Sequence, residues 1–87
     1  ANEADLLNVA LFGITSKQWR ESNPELEGNI RDNATLEQLV VLSNLESINS
    51  VLIHQGLSQN KRLQQLNQIA ITQMKSLIGN NNFKKLK

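Results

Sequence analysis

Between Thr35 and Gly56 the chain runs without a proline or an internal glycine, and apolar side chains recur along it at helical spacing on most sides. Val41, Leu45, Ile48 and Leu52, spaced 4, 3 and 4, form one seam. Leu39, Leu42 and Ile53 form a second, and Leu36, Val40 and Val51 a third. Spacing of this kind marks a helix, and a helix apolar on most sides is buried on most sides. The stretch from Leu36 to about Gln55 is therefore either the central helix of a small domain or a helix that meets a partner chain. Its start is marked by Thr35-Leu36-Glu37-Gln38. This is a capping box, in which the threonine hydroxyl and the glutamine side chain satisfy otherwise orphaned backbone amides. Gly56 marks its end.

The rest of the chain arranges itself around that helix. After Gly56-Leu57-Ser58, Ser58 is placed to cap a helix from about Gln59 to Ile78, with Gly79 beyond it. One face of this helix carries Leu63, Leu66, Ala70, Met74 and Leu77; the other carries Gln64, Gln65, Gln68, Thr72 and Lys75. So short a link implies an antiparallel hairpin of the two long helices. Upstream, a helix from about Glu3 to Phe12 should stop at Gly13, with Glu3 and Asp5 at the positive end of its dipole. Thr15-Ser16-Lys17-Gln18 is a second capping box and opens a short helix carrying Trp19. Pro24 keeps Asn23 from helical angles, so that helix ends near Ser22, and a loop occupies 24–34. The expected fold is all-α. It is a small helical bundle over 1–79, built on the long hairpin with the two short N-terminal helices closing one side, followed by a flexible tail over 80–87.

With 87 residues there is room for one domain, which hides roughly two thirds of its unfolded surface. No cysteine is present, which excludes a disulfide framework and a thiolate metal site and accords with a reducing, cytoplasmic setting. No apolar run approaches the roughly 20 residues that span a membrane, and no secretory signal precedes the first helix. The chain opens on Ala1 rather than Met, so a segment of a longer protein or a processed start is expected. Net charge is +1, but all eight acidic residues precede residue 47 and six of the nine basic ones follow it. An acidic half packing beside a basic half accounts for this asymmetry. The alternative is a nucleic-acid contact through Lys61, Arg62 and Lys75 beside the glutamine-rich face. Glutamine is, however, a good neutral filler of an exposed helix face.

Nothing in the chain carries catalytic chemistry. His54 is the only histidine, has no orienting acid nearby in sequence, and sits where it can meet the last carbonyls of its helix. Glu21, Glu25, Glu27 and Asp32 cluster about the loop but lack the alternating pattern of a calcium loop, so no metal and no cofactor is expected. The glycines lie too far apart to cradle phosphate. Trp19 and Arg20, with Arg31 and Asp32 beyond the loop, admit two readings. Trp19 lies in the core, with the loop folded over it and Arg31 paired to Asp32, a helix end or an acidic neighbour. Or the group is a recognition surface of the residue types enriched at binding hot spots. The first is preferred because a thin domain needs its one tryptophan inside.

Three groups of residues carry a resemblance. One is Leu11-Phe12-Gly13-Ile14-Thr15-Ser16-Lys17-Gln18-Trp19-Arg20 with Asn23-Pro24 and Gly28-Asn29-Ile30-Arg31-Asp32. The second is Leu42-Ser43-Asn44-Leu45-Glu46 leading to Gln55-Gly56-Leu57, and the third is Arg62-Leu63 through Leu66-Asn67-Gln68-Ile69-Ala70. Together they resemble the C-terminal segment of bacterial, phage-related KilA-N domain proteins, over about residues 1–78. The resemblance implies an accessory segment that follows an N-terminal DNA-binding domain absent from this chain, and it assigns no catalytic residue here. Asn33 stands where the family commonly has an aromatic residue, which puts the packing beneath the loop in question.

The expected function is thus a non-catalytic interaction or oligomerisation module of a DNA-binding protein. The three seams of the long helix exceed what one further long helix and two short ones cover easily. A homodimer through Leu39, Val40 or Val51 would cover the excess. In the competing arrangement the first helix and Trp19 fill the third seam and leave a monomer.

Overall fold

The computed structural model describes residues 2–79. The tail expected over 80–87 lies outside the described residues. Four helices follow one another: α1 (Glu3–Phe12), α2 (Ser16–Ser22), α3 (Leu36–His54) and α4 (Gln59–Ile78). No strand occurs among the described residues.

Each start is set by a side chain that takes up a free amide. Asn2, Thr15, Thr35 and Ser58 accept from Asp5, Gln18, Gln38 and Lys61 respectively. Both threonine caps are complete capping boxes, with the glutamine side chain returning to the threonine amide at 2.9 Å. The turn between α3 and α4 is a Schellman motif. Gly56, at φ 80°, donates to Ile53 O, and Leu57 donates to Leu52 O. Leu57 then packs onto the core and folds α4 back along α3.

The core is made by three helices. Leu6, Leu7 and Ala10 of α1 meet Val41, Leu42, Leu45 and Leu52 of α3 and Leu66 and Ala70 of α4. Only α1 closes the open side of the hairpin. The short α2 buries no residue, contrary to the expectation that both N-terminal helices would share that task. With seven residues it has barely two turns, and its polar sequence gives it no apolar stripe to bury. The Cα positions span 42 × 36 × 15 Å, a slab about two helix layers thick.

Asparagines tie the helices together at their seams. Buried Asn8 donates to Ser16 Oγ at 2.9 Å and accepts from Arg31 Nε at 3.3 Å, joining α1 to the head of α2 and to the loop. Asn67 of α4 donates to the Ala10 carbonyl at 3.0 Å. Asn44 of α3 donates to Gln73 of α4 at 3.0 Å.

Candidate interaction surface

Of the three apolar seams on α3, the fold covers the first and leaves the third bare. Val41 and Leu45 are fully buried and Leu52 nearly so. Leu36, Val40 and Val51 remain 70%, 44% and 55% exposed. Leu39 and Ile53, at the edge of the same face, are also exposed, whereas Leu42 of their seam is buried. Neither α1 nor Trp19 fills the third seam. The reason is geometric. With α1 and α4 both on the side of Val41, Leu45 and Leu52, residues half a turn away have no helix packed over them. Contiguous exposed apolar surface on a small domain commonly marks an interface.

The tryptophan and arginine group has the loop against Trp19 and an acidic neighbour beside Arg31, but the ring is not in the core. Trp19 is half-buried. It forms one wall of an open hollow of about 230 Å3 shared with Phe12, Ile14, Ile30, Asn33 and Ala34. The expectation of a core tryptophan is corrected accordingly: α2 stands off the core, so its large aromatic reaches only the loop and the end of α1. Arg20 lies 4.9 Å from the centre of the Trp19 ring and turns its guanidinium to the loop carbonyls. Nη1 donates to Asn23 O at 3.1 Å and to Leu26 O at 2.6 Å, and Nη2 donates to Gly28 O. Asp32 Oδ2 accepts from the Asn29 amide at 2.9 Å, while Asn29 Oδ1 accepts from the Arg31 and Asp32 amides. Gly28 sits at φ 78°, and a Cβ there would come within 2.7 Å of Asp32 Oδ2. The turn therefore has room only for glycine.

Arg31 does not pair with Asp32. It reaches Asn8 of α1 and lies 3.8 Å from Glu46 of α3, at a partly exposed site where such a pair adds little stability. Asn33 turns its amide inward, to Glu27 O and Asn29 O, both at 3.0 Å. The Arg20 Nη atoms, Asp32 Oδ2 and Asn33 Nδ2 thus serve to hold the loop itself.

The basic half divides. Lys61 and Lys75 are exposed. Arg62, expected beside Lys61 on an outward face, is instead 6% exposed. Its Nη1 donates to Glu3 Oε1 at 2.6 Å and to Asn49 Oδ1 at 2.9 Å, and its Nη2 to Glu3 Oε2 at 3.1 Å. Nε donates to Leu57 O at 3.1 Å, and Asn49 Nδ2 completes the set by donating to Glu3 Oε1 at 2.8 Å. Hydrogen bonds from Arg62 and Asn49 hold the Glu3 carboxyl down from its ordinary 4.5 to about 2, against the opposing pull of burial. The same contact raises the pKa of Arg62. Four of the five N–H groups of this enclosed guanidinium are taken by protein acceptors, so little of it is left for a phosphate. Sequence reasoning missed Asn49 and Asn8. The available signal was a short polar side chain inside an apolar helical seam, where asparagine is a poor helix former.

His54 Nδ1 lies 2.8 Å from Ser50 O, one turn back along α3, as a histidine at a helix end would. The described residues contain no group of three or more His, Cys, Asp or Glu side chains placed to hold a metal ion. No described helix is long and apolar enough to cross a membrane. No family model matches the chain, and neither a curated protein nor a solved structure matches it.

Proposed function

We propose that the chain is a non-catalytic accessory module, a protein-interaction or oligomerisation domain, of a DNA-binding protein of the KilA-N type. The observation that carries the reading is the bare third seam of α3, with Leu36, Val40 and Val51 exposed on a helix whose first seam is core. An apolar strip of this kind suits a protein partner and offers nothing to a phosphate backbone, which is bound by lysine and arginine. α3 contains neither residue. In this reading DNA is engaged by the KilA-N domain that precedes such segments, and the module multiplies that contact by bringing copies or partners together. Enclosure of Arg62 removes one of three cations from the alternative, in which the basic half binds nucleic acid directly.

A titration of labelled duplex DNA with the chain tests this. The expected result is binding no tighter than non-specific contacts, about 1–100 µM at physiological salt. A nanomolar, sequence-specific complex that weakens steeply with salt overturns the reading and moves the function to Lys61 and Lys75.

A further inference from the structure

We propose that the hollow beside Trp19 is the docking site for a segment of the same chain, Phe83-Lys84-Lys85-Leu86-Lys87, with the Phe83 ring seated in the hollow and the lysines set against the acidic segments that build it. This surface is separate from the bare face of α3, and the inference does not depend on what that face binds. The hollow suits one aromatic side chain. Phe12 at the end of α1, Ile14, Trp19 of α2 and Ile30 of the loop wall about 230 Å3 that stays open to solvent. A phenyl ring placed there buries its own apolar area and the exposed part of Trp19 together, and aromatic pairs gain beyond the area they bury.

Charge selects the occupant. Glu21 of α2, Glu25 and Glu27 of the loop and Glu37 of α3 lie on the segments that form the hollow, and the ion pairs among the described residues, Arg31–Glu46 and Arg62–Glu3, involve none of them. Of the cations on the same segments, Arg20 is turned to the loop carbonyls and Arg31 to Asn8 and Glu46, which leaves Lys17. Residues 83–87 carry three lysines and no acid, with one aromatic and one aliphatic side chain between them. Apolar groups flanked by positive charge complement an apolar hollow on acidic segments. Position and length agree. Asn44 of α3 and Gln73 of α4 share a hydrogen bond. Six residues on along α4 is Gly79, and six residues back along the antiparallel α3 is Gln38, both about 9 Å beyond that bond. Gln38 lines the hollow, so the chain leaves α4 level with it. From Gly79 to Phe83 an extended chain covers up to about 14 Å, more than the roughly 8–10 Å between packed helices. A tether this short holds the segment at an effective concentration on the order of millimolar, so a contact too weak to recruit a free peptide still forms within one molecule.

Trp19, the only tryptophan, reports on the hollow in the full chain. Phe83→Ala should shift its emission to the red, because the ring that shields the indole is gone. The double variant Lys84→Glu, Lys85→Glu keeps Phe83 but sets like charges together, and it should produce the same shift. Nuclear Overhauser cross-peaks in the parent chain should join the Phe83 ring to the Trp19 indole and the Ile30 methyls, with intensities that do not change on dilution. Emission unmoved by Phe83→Ala, or no cross-peak between Phe83 and Trp19, overturns the inference. Cross-peaks that fade on dilution place the segment of another molecule in the hollow and overturn it as well. The titration with duplex DNA bears on the reading of α3 alone, so the two stand or fall separately.

Discussion

The Arg62 guanidinium grips the Glu3 carboxylate with two parallel hydrogen bonds, Nη1 to Oε1 at 2.6 Å and Nη2 to Oε2 at 3.1 Å, and so joins the first turn of α4 to the first turn of α1. Asn49 of α3 stands beneath the pair, bonded to both partners. One residue from each core-forming helix thus meets at this point, at the end of the molecule where α3 turns into α4. Its geometry makes it a structural clasp rather than a site. The planar fork of arginine fits a carboxylate, and the remaining lone pair of the asparagine is filled by the same guanidinium.

Removing Arg62 should therefore cost more than removing any other cation of the chain. Arg62→Ala leaves the buried Asn49 oxygen without its donor and frees the Leu57 carbonyl at the head of α4. A drop in Tm on the order of 10 °C is expected. Lys61→Ala, one residue away on the exposed face, should change Tm by less than about 2 °C. Equal small losses for both variants would mean that the clasp does not hold the helices.

The same pair sets an acid limit to stability. The Glu3 carboxyl titrates at about 2 in the folded chain against an ordinary 4.5, so folding favours its charged form. The stability this contributes is fully present above about pH 4.5 and drains away as the pH falls toward 2. Urea midpoints measured down through that window should fall in the parent chain. In Glu3→Gln, which has no proton to gain, the share due to this residue should be missing: its midpoint is lower at neutral pH and falls less with acid. Parallel pH curves for the two chains would show that Glu3 is not the titrating group.

At the loop, Arg20 performs a different kind of holding. It satisfies the carbonyls of Asn23, Leu26 and Gly28 from one guanidinium. Arg20→Lys keeps the charge but has no fork to span three acceptors. Faster amide exchange at residues 26–32 and a red shift of Trp19 emission are expected, since Trp19 is the chain's only tryptophan and faces that loop. Global stability should fall by less than about 1 kcal/mol, because the loop adds only Ile30 to the buried set. Unchanged exchange in the loop would sink the clasp.

Thr35 closes the capping box of α3, accepting from Gln38 N at 3.1 Å while Gln38 Oε1 accepts from Thr35 N. Thr35→Ala should destabilise the chain by about 1 kcal/mol in chemical denaturation. Thr15→Ala should cost less globally, because α2 buries nothing and can fray without opening the core. A larger loss at Thr15 than at Thr35 would contradict that ranking.

What the amino-acid order reveals here divides by the range of the interaction. The caps at Thr15, Thr35 and Ser58 and the stops at Gly13 and Gly56 depend on neighbours within a few residues, and α2, α3 and α4 begin, and α1 and α3 end, where those signals stand. Arg62 could not be placed that way. Its partner Glu3 is 59 residues distant, and periodicity alone sets it on the polar side of α4 beside Lys61. Trp19 misled for a related reason. Size and apolarity argue for burial, but the helix that carries it is too short and polar to dock. The excess of apolar seams on α3 was legible from spacing. Which seam would stay bare was decided by α1 and α4 packing on one side, a tertiary fact.

Two residues of α3 test that sidedness directly. Leu45 is fully buried against α1 and α4, and Val40, on the opposite face of the same helix, is 44% exposed. Leu45→Ala leaves a cavity that rigid neighbours cannot fill and should cost about 3 kcal/mol. Val40→Ala removes side-chain atoms that water already touches and replaces a β-branched residue by a better helix former, so it should lie within about 0.5 kcal/mol of the parent. A Val40→Ala deficit of several kcal/mol would place that side chain in the core of the monomer and remove the surface on which the proposed function stands.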